Sequence, residues 1–258
     1  MFDYTEYPSL IRGGHNTYQV HASTNPVYTH ESITNVLVAL NKEAVEFHQS
    51  ELGENSVVIY DKEADKIEIE KYKLSAKAIN LPMVKLTKDS GGKEVMANNV
   101  ALGASIFLLG LDLTVLNQLI AEIFSDKGQE IIDLNQRAAL AGFNFVKNIA
   151  EPLYKIDKQA SNFVTMTGNE AIGLGAIAGG LQFYCAYPMT PSSSLLTYLA
   201  SKAKDANIVV KHAEDEIGVV NMALGASFAG VRTMIGTSGG GFCYMVEALG
   251  LSAVAELP

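Results

Sequence analysis

Phe183-Tyr184-Cys185-Ala186-Tyr187-Pro188-Met189-Thr190-Pro191-Ser192-Ser193-Ser194 reads as a short buried strand, a proline-stiffened turn and the start of a helix. Two more units of this form follow. Ile208-Val209-Val210-Lys211-His212 runs into Ala213-Glu214-Asp215-Glu216-Ile217-Gly218 and a helix. Val231-Arg232-Thr233-Met234-Ile235 runs into Gly236-Thr237-Ser238-Gly239-Gly240-Gly241 and another. Strands alternating with helices predict a parallel sheet, and open α/β sheets bind ligands at the carboxyl ends of their strands. All three turns can therefore face one crevice.

Each turn suits a ligand in its own way. Pro188 and Pro191 restrict the first, and Ser192 is positioned to cap the helix after it. Thr190 offers a hydroxyl just before a helix N-terminus, where free N–H groups and the dipole favour an anion. The second turn puts carboxylates at a helix start. In the third, Gly239, Gly240 and Gly241 let backbone approach a ligand closely.

Taken together, Tyr187-Pro188-Met189-Thr190-Pro191-Ser192-Ser193, Glu214-Asp215-Glu216-Ile217-Gly218 and Gly236-Thr237-Ser238-Gly239-Gly240-Gly241-Phe242 carry a family likeness. They resemble the thiamine-pyrophosphate pyrimidine-binding domain of 2-oxoacid:ferredoxin oxidoreductases, in the alpha subunit that has a gamma-type domain fused in front. The order and spacing of all three carry the resemblance; any one alone is weak.

Composition narrows the alternatives. The chain has 258 residues, 48% of them hydrophobic, enough for two modest domains with real cores. A net charge of −9 argues against a nucleic-acid surface. The longest apolar runs, such as Ser105–Leu111, fall far short of the ~20 residues of a membrane span. With no visible signal peptide, the expectation is a cytoplasmic protein whose cysteines, Cys185 and Cys243, are reduced and buried. Two thiols cannot hold an iron–sulfur cluster, which takes about four.

The region before the three units reads as a separate domain. Tyr7-Pro8-Ser9-Leu10-Ile11-Arg12-Gly13-Gly14-His15-Asn16 leads into a strand-like Thr17–Ala22. The Arg12-Gly13-Gly14-His15 stretch is either a tight turn or a ligand-facing loop. Asn35–Leu40, a helix from Lys42 to Leu52 and Ser56–Tyr60 form a βαβ unit. His48 falls on a polar helix face and reads as solvated. Lys66–Glu70 alternates like a half-exposed strand. Helices are expected over Asn98–Leu109, Leu113–Phe124 with Asp112 as its cap, and Gln129–Leu140. In the second domain the small residues of Ala171–Gly180 suit tight packing, and Phe242–Glu256 reads as an amphipathic helix.

The fold class is thus α/β: two open, mostly parallel sheets flanked by helices. The resemblance implies a gamma-type domain over 1–148, a linker at 149–163 and a pyrimidine-binding domain over 164–258, both domains incomplete.

The resemblance also implies a chemistry: oxidative decarboxylation of a 2-oxoacid, 2-oxoglutarate foremost, with coenzyme A to acyl-CoA, CO2 and reduced ferredoxin. One carboxylate bonded to N1′ of the cofactor's aminopyrimidine is the essential protein group, and Glu216 matches it by motif. Glu214 and Asp215 then read as acids complementing a helix dipole. Thr190 corresponds to the threonine that binds the 2-oxoacid carboxylate. Tyr187, Pro188 and Met189 shape the wall, Thr237 and Ser238 are polar neighbours of the cofactor, and Arg12 is a candidate coenzyme A or phosphate contact. His212 ends a strand and is either core or close to the site. The family's Gly-Asp-Gly diphosphate signature is missing. A beta subunit is therefore expected to carry the diphosphate and Mg2+ site and a 4Fe-4S cluster, with thiamine pyrophosphate shared between the subunits.

Two other classes compete. Gly236-Thr237-Ser238-Gly239-Gly240 also fits the G-x-S-x-G elbow of a serine hydrolase, which needs a histidine later in the chain. His15, His21, His30, His48 and His212 all precede Ser238. The second is a non-catalytic chain on the same fold. A dinucleotide-binding fold lacks its glycine pattern.

Overall fold

The structure, a computed structural model, describes residues 1–6, 14–64, 66–155 and 164–257. The chain divides into two compact units, Met1–Ser161 and Asn162–Pro258.

The first unit opens with a ribbon. β1 (Phe2–Glu6) pairs antiparallel with β2 (Thr17–His21), Phe2 opposite His21 and Glu6 opposite Thr17. A parallel sheet follows, built from β3 (Val36–Ala39), α1 (Lys42–His48), β4 (Val57–Tyr60) and β5 (Lys77–Asn80) in the strand order β3-β4-β5. The central strand is buried along its whole length, which is why it is a continuous apolar run. Its side chains alternate between two cores. Val57 and Ile59 pack with Ile79, Leu81, Val100, Ala104 and Leu108, while Val58 and Tyr60 pack with Ala39, Val45, Ile67 and Ile69.

Helices α2 (Met83–Asp89), α3 (Ala97–Leu108), α4 (Leu113–Ile123) and α5 (Gln129–Lys147) complete this unit. Asp112 caps α4, accepting the Thr114 N–H at 2.8 Å, as its position implies. Where α3 crosses α5 the backbones touch. A methyl at Gly103 would land on the Ala139 carbonyl, and one at Gly142 on the Val100 carbonyl. The buried Asn99 amide donates to Asn135 Oδ1 at 2.7 Å across the same contact.

Several local expectations fail here. Lys66–Glu70 is not a strand; the segment ends in a single 3-10 turn, Ile69–Lys71, and its alternation arises because Ile67 and Ile69 both dip into the core. β5 and α2, on either side of Pro82, lie between the elements expected from the sequence. α5 runs on past Leu140 to Lys147. His48 is not solvated. Its Nδ1 meets Glu51 Oε1 at 2.9 Å and its Nε2 faces His15 Nε2 at 2.8 Å.

The second unit contains α6 (Gly168–Ala178), β6 (Phe183–Ala186), α7 (Ser193–Lys202), β7 (Val209–His212), α8 (Glu216–Phe228), β8 (Thr233–Gly236) and α9 (Gly239–Val254). Its sheet is parallel in the order β7-β6-β8, with Ala186 level with both His212 and Gly236. Tyr184 and Ala186 point to one face, packing with Leu195 and Leu199 of α7. Cys185 points to the other, packing with Val219 and Val220 of α8 and Met245 and Ala248 of α9. α9 is not amphipathic: Phe242, Tyr244, Leu251 and Val254 on it are exposed, as is Phe228 at the end of α8. Cys243 is exposed for the same reason, contrary to the expectation of two buried thiols. Among the described residues, no helix is long and apolar enough to cross a membrane. Both units are open, parallel α/β sheets flanked by helices.

Gly142→Ala should destabilise the first unit by about 2–3 kcal/mol, because backbone rather than a movable side chain occupies the space its methyl would need. The midpoint of chemical unfolding is the measurement; an unchanged midpoint would disprove the close contact.

Candidate active site

The connections of the second unit create a crevice. From β6 the chain turns into α7 on one face of the sheet, and from the adjacent β8 it turns into α9 on the opposite face. Where neighbouring strands send their connections to opposite sides, their carboxyl ends leave a gap for a ligand. Tyr187 to Ser192 leave β6 here, Thr237 and Ser238 leave β8, and Ala213 to Glu216 leave β7 on the other side of β6.

The three consecutive acids are sorted by local structure. Asp215 is the cap of α8, in extended conformation, with its carboxylate accepting the Gly218 N–H at 2.6 Å. Glu214 is exposed. Glu216, the first residue of α8, is only 9% exposed, and no described residue offers its carboxylate a hydrogen bond or an ion pair. Burying a carboxylate without a partner is costly, which makes this residue a candidate for a role other than stability.

Glycine makes the room. A Cβ on Gly241, in the first turn of α9, would come within 2.7 Å of Glu216 Oε1 and would also overlap the Thr237 hydroxyl. The two polar groups therefore share the space that Gly241 leaves open. Thr237 Oγ1 is itself buried with no hydrogen-bond partner among the described residues. Ser238 occupies the cap position of α9 but its side chain makes no capping bond. Gly239 has φ +45°, the left-handed region that glycine enters without strain.

The Thr190 turn is held from outside. Asn169, near the start of α6, donates through Nδ2 to the Pro191 carbonyl at 2.8 Å and to Ser194 Oγ at 2.6 Å. Ser192 does not cap α7; its hydroxyl bends back to the Met189 carbonyl at 2.7 Å, tightening the turn from inside. Thr190 itself is exposed, with its hydroxyl free of described protein partners. Tyr187 and Pro188 are exposed and Met189 is half-buried. The Tyr187 ring stands 6.2 Å from that of the exposed His212, centroid to centroid, so His212 lies beside the turn and not in the core. Asn169 escaped sequence reasoning because its partners lie more than 20 residues away in the chain.

Beneath the crevice, Tyr184 is fully buried and its hydroxyl lies against Gly236 with no hydrogen-bond partner. Burial, with the neighbouring Cys185 adding to it, pushes the phenol up to about 12. Burial also pushes the Cys185 thiol up to about 11, and that thiol donates to the Val219 carbonyl at 3.3 Å. Neither group ionises near neutral pH, so neither acts there as a base or nucleophile.

Glu216 and Thr237 thus come together directly, and the Tyr187–Thr190 turn lies on the strand between theirs. Arg12 lies outside the described residues. Ser238 meets neither a histidine nor an acid among them, and its φ of −151° is relaxed extended backbone, unlike the strained turn of a nucleophile elbow. Among the described residues there is also no cluster of three or more metal-ligating side chains.

Both units resemble known proteins. The family described as pyruvate ferredoxin/flavodoxin oxidoreductase matches residues 1–145. The one described as pyruvate flavodoxin/ferredoxin oxidoreductase, thiamine diP-bdg, matches residues 174–258. A 2-oxoacid:ferredoxin oxidoreductase subunit alpha from Sulfolobus is 28% identical across 98% of this chain and 47% of its own length. The 2-oxoglutarate oxidoreductase subunit KorA of Mycobacterium tuberculosis is 34% identical across 62% of this chain and 26% of its own. The solved 2-oxoglutarate:ferredoxin oxidoreductase from Magnetococcus marinus, with 2-oxoglutarate, coenzyme A and succinyl-CoA bound, aligns with a TM-score of 0.88 and 32% identity. That alignment covers 99% of this chain and 45% of the other. The chain spans about half the length of the full-coverage curated relatives.

Asn169→Ala should loosen the Thr190 turn while leaving the sheet intact. Two lost hydrogen bonds of about 1 kcal/mol each predict amide exchange through 189–194 that is faster by roughly tenfold or more. Unchanged exchange there would show that the turn holds itself.

Proposed function

The chain belongs to the pyruvate ferredoxin/flavodoxin oxidoreductase family, and from that premise we propose that it is the alpha subunit, with a fused gamma-type domain, of a 2-oxoacid:ferredoxin oxidoreductase. In this reading the gamma-type domain covers 1–148, the linker 149–163 and the pyrimidine-binding domain 164–258. The reaction is oxidative decarboxylation of a 2-oxoacid with coenzyme A, and the electron pair left by CO2 passes to ferredoxin. 2-Oxoglutarate is the substrate favoured by the names of several relatives.

One observation carries the reading. Glu216 and Thr237 put a buried carboxylate and a buried hydroxyl, both without a partner among the described residues, into one small space beside Gly241. The aminopyrimidine of thiamine pyrophosphate, which carries hydrogen-bonding nitrogens on a flat ring, fits that demand. When bound, the cofactor supplies a carbon nucleophile and a sink for the electrons released on decarboxylation. Glu216 holds a proton at N1′ of the aminopyrimidine, which favours the tautomer needed for activation. Thr237 and Ser238 are polar neighbours of the same ring. Thr190 receives the carboxylate of the 2-oxoacid, with Tyr187, Pro188 and Met189 as the wall beside it. Arg12 is assigned to a coenzyme A phosphate.

This chain supplies half a site. In this reading a beta subunit holds the diphosphate, the Mg2+ and the 4Fe-4S cluster, for which the two cysteines of this sequence are by themselves too few. The chain is assigned to the cytoplasm.

Glu216→Gln should lower 2-oxoacid-dependent ferredoxin reduction by the assembled complex by about 10²-fold or more. Gly241→Ala should act in the same direction without removing the acid, because the added methyl displaces it. Undiminished turnover in both variants would end the assignment of Glu216.

A further inference from the structure

Resting on the reading of Glu216 and Thr190 above, we propose that His212 selects the substrate class: a 2-oxoacid bearing a second, distal carboxylate. The first argument is position. His212 is the last residue of β7 and lies level with Ala186, and the next residue's N–H bonds the Ala186 carbonyl at 3.1 Å. Tyr187, which opens the turn to Thr190, directly follows Ala186. Side chains alternate along a strand, so His212 shares the face of Val210, which packs in the Tyr184–Leu195–Leu199 cluster, and Lys211 faces the other way. That is the face toward which the Tyr187–Ser192 turn runs into α7.

The second argument is availability. His212 is exposed and makes no hydrogen bond or ion pair with any described residue; the Tyr187 ring stands beside it at 6.2 Å. A histidine serving the fold would be tied into it, as His48 is by Glu51 and His15.

The third argument is charge. The other ionisable side chains on the turns that leave β6, β7 and β8 are the Tyr187 phenol and the acids Glu214, Asp215 and Glu216. A substrate with two carboxylates meets repulsion at such a mouth unless a cation faces it. His212 is the residue there that can carry positive charge and donate to a carboxylate. With the first carboxylate on Thr190, a substrate extending past Tyr187 brings its far end to His212. A 2-oxoacid with an aliphatic tail gains nothing from the imidazole.

The test is the ratio of kcat/KM for 2-oxoglutarate to that for 2-oxobutyrate, measured on the assembled complex. His212→Gln should lower this ratio about tenfold, mainly through the KM for 2-oxoglutarate. His212→Arg should keep or raise it, because a guanidinium binds carboxylates in a bidentate fashion. An unchanged ratio in His212→Gln, or equal losses on both substrates, would overturn the proposal, as would a wild-type preference for 2-oxobutyrate. A wild-type complex that turns over neither compound would instead bring down the reading of the site on which the proposal rests.

Discussion

The second unit is arranged around an unpaired buried carboxylate. Glu216 can sit at the head of α8 with little exposure because α9 begins with three glycines, and the third has no side chain to exclude it. The neighbouring acid is taken up by capping duty, so Asp215 anchors the helix and leaves Glu216 free to point inward. The parallel sheet then brings the Thr190 turn to the same edge. A partnerless acid costs folding free energy, which is what singles this position out as a candidate for chemistry.

Stability comes from elsewhere. In the first unit, two glycines let α3 and α5 meet backbone to backbone, and a buried asparagine pair fixes their register. In the second, Tyr184 and Cys185 alternate across the sheet and anchor one helical layer each. Burial raises the pKa of both and keeps them neutral, so the floor beneath the crevice adds no charge to compete with Glu216.

Much of this was legible in the residues, for identifiable reasons. The strand-turn-helix units could be read because each strand is a short apolar run closed by proline, glycine or acids. Glu216 could be singled out from Glu214 and Asp215 only by motif; the physical distinction, capping against burial, appears once α8 exists. Periodicity failed at Ile67 and Ile69, where an irregular segment buries alternate residues without sheet hydrogen bonds. It also failed at α9, whose outer side is as apolar as its inner one. Asn169's bonds and the His15–His48 contact were invisible because each joins residues far apart in the chain. Hydrogen bonds of that kind leave no local pattern.

The oily outer side of α9, with Phe228 beside the end of α8, has a practical meaning. Soluble monomers rarely show water so many large apolar side chains on adjoining helices. Produced alone, this polypeptide would meet its own copies through that side before any denaturation set in. Its recovery from expression will be governed by colloidal behaviour, and improving its packing will do little to raise the yield.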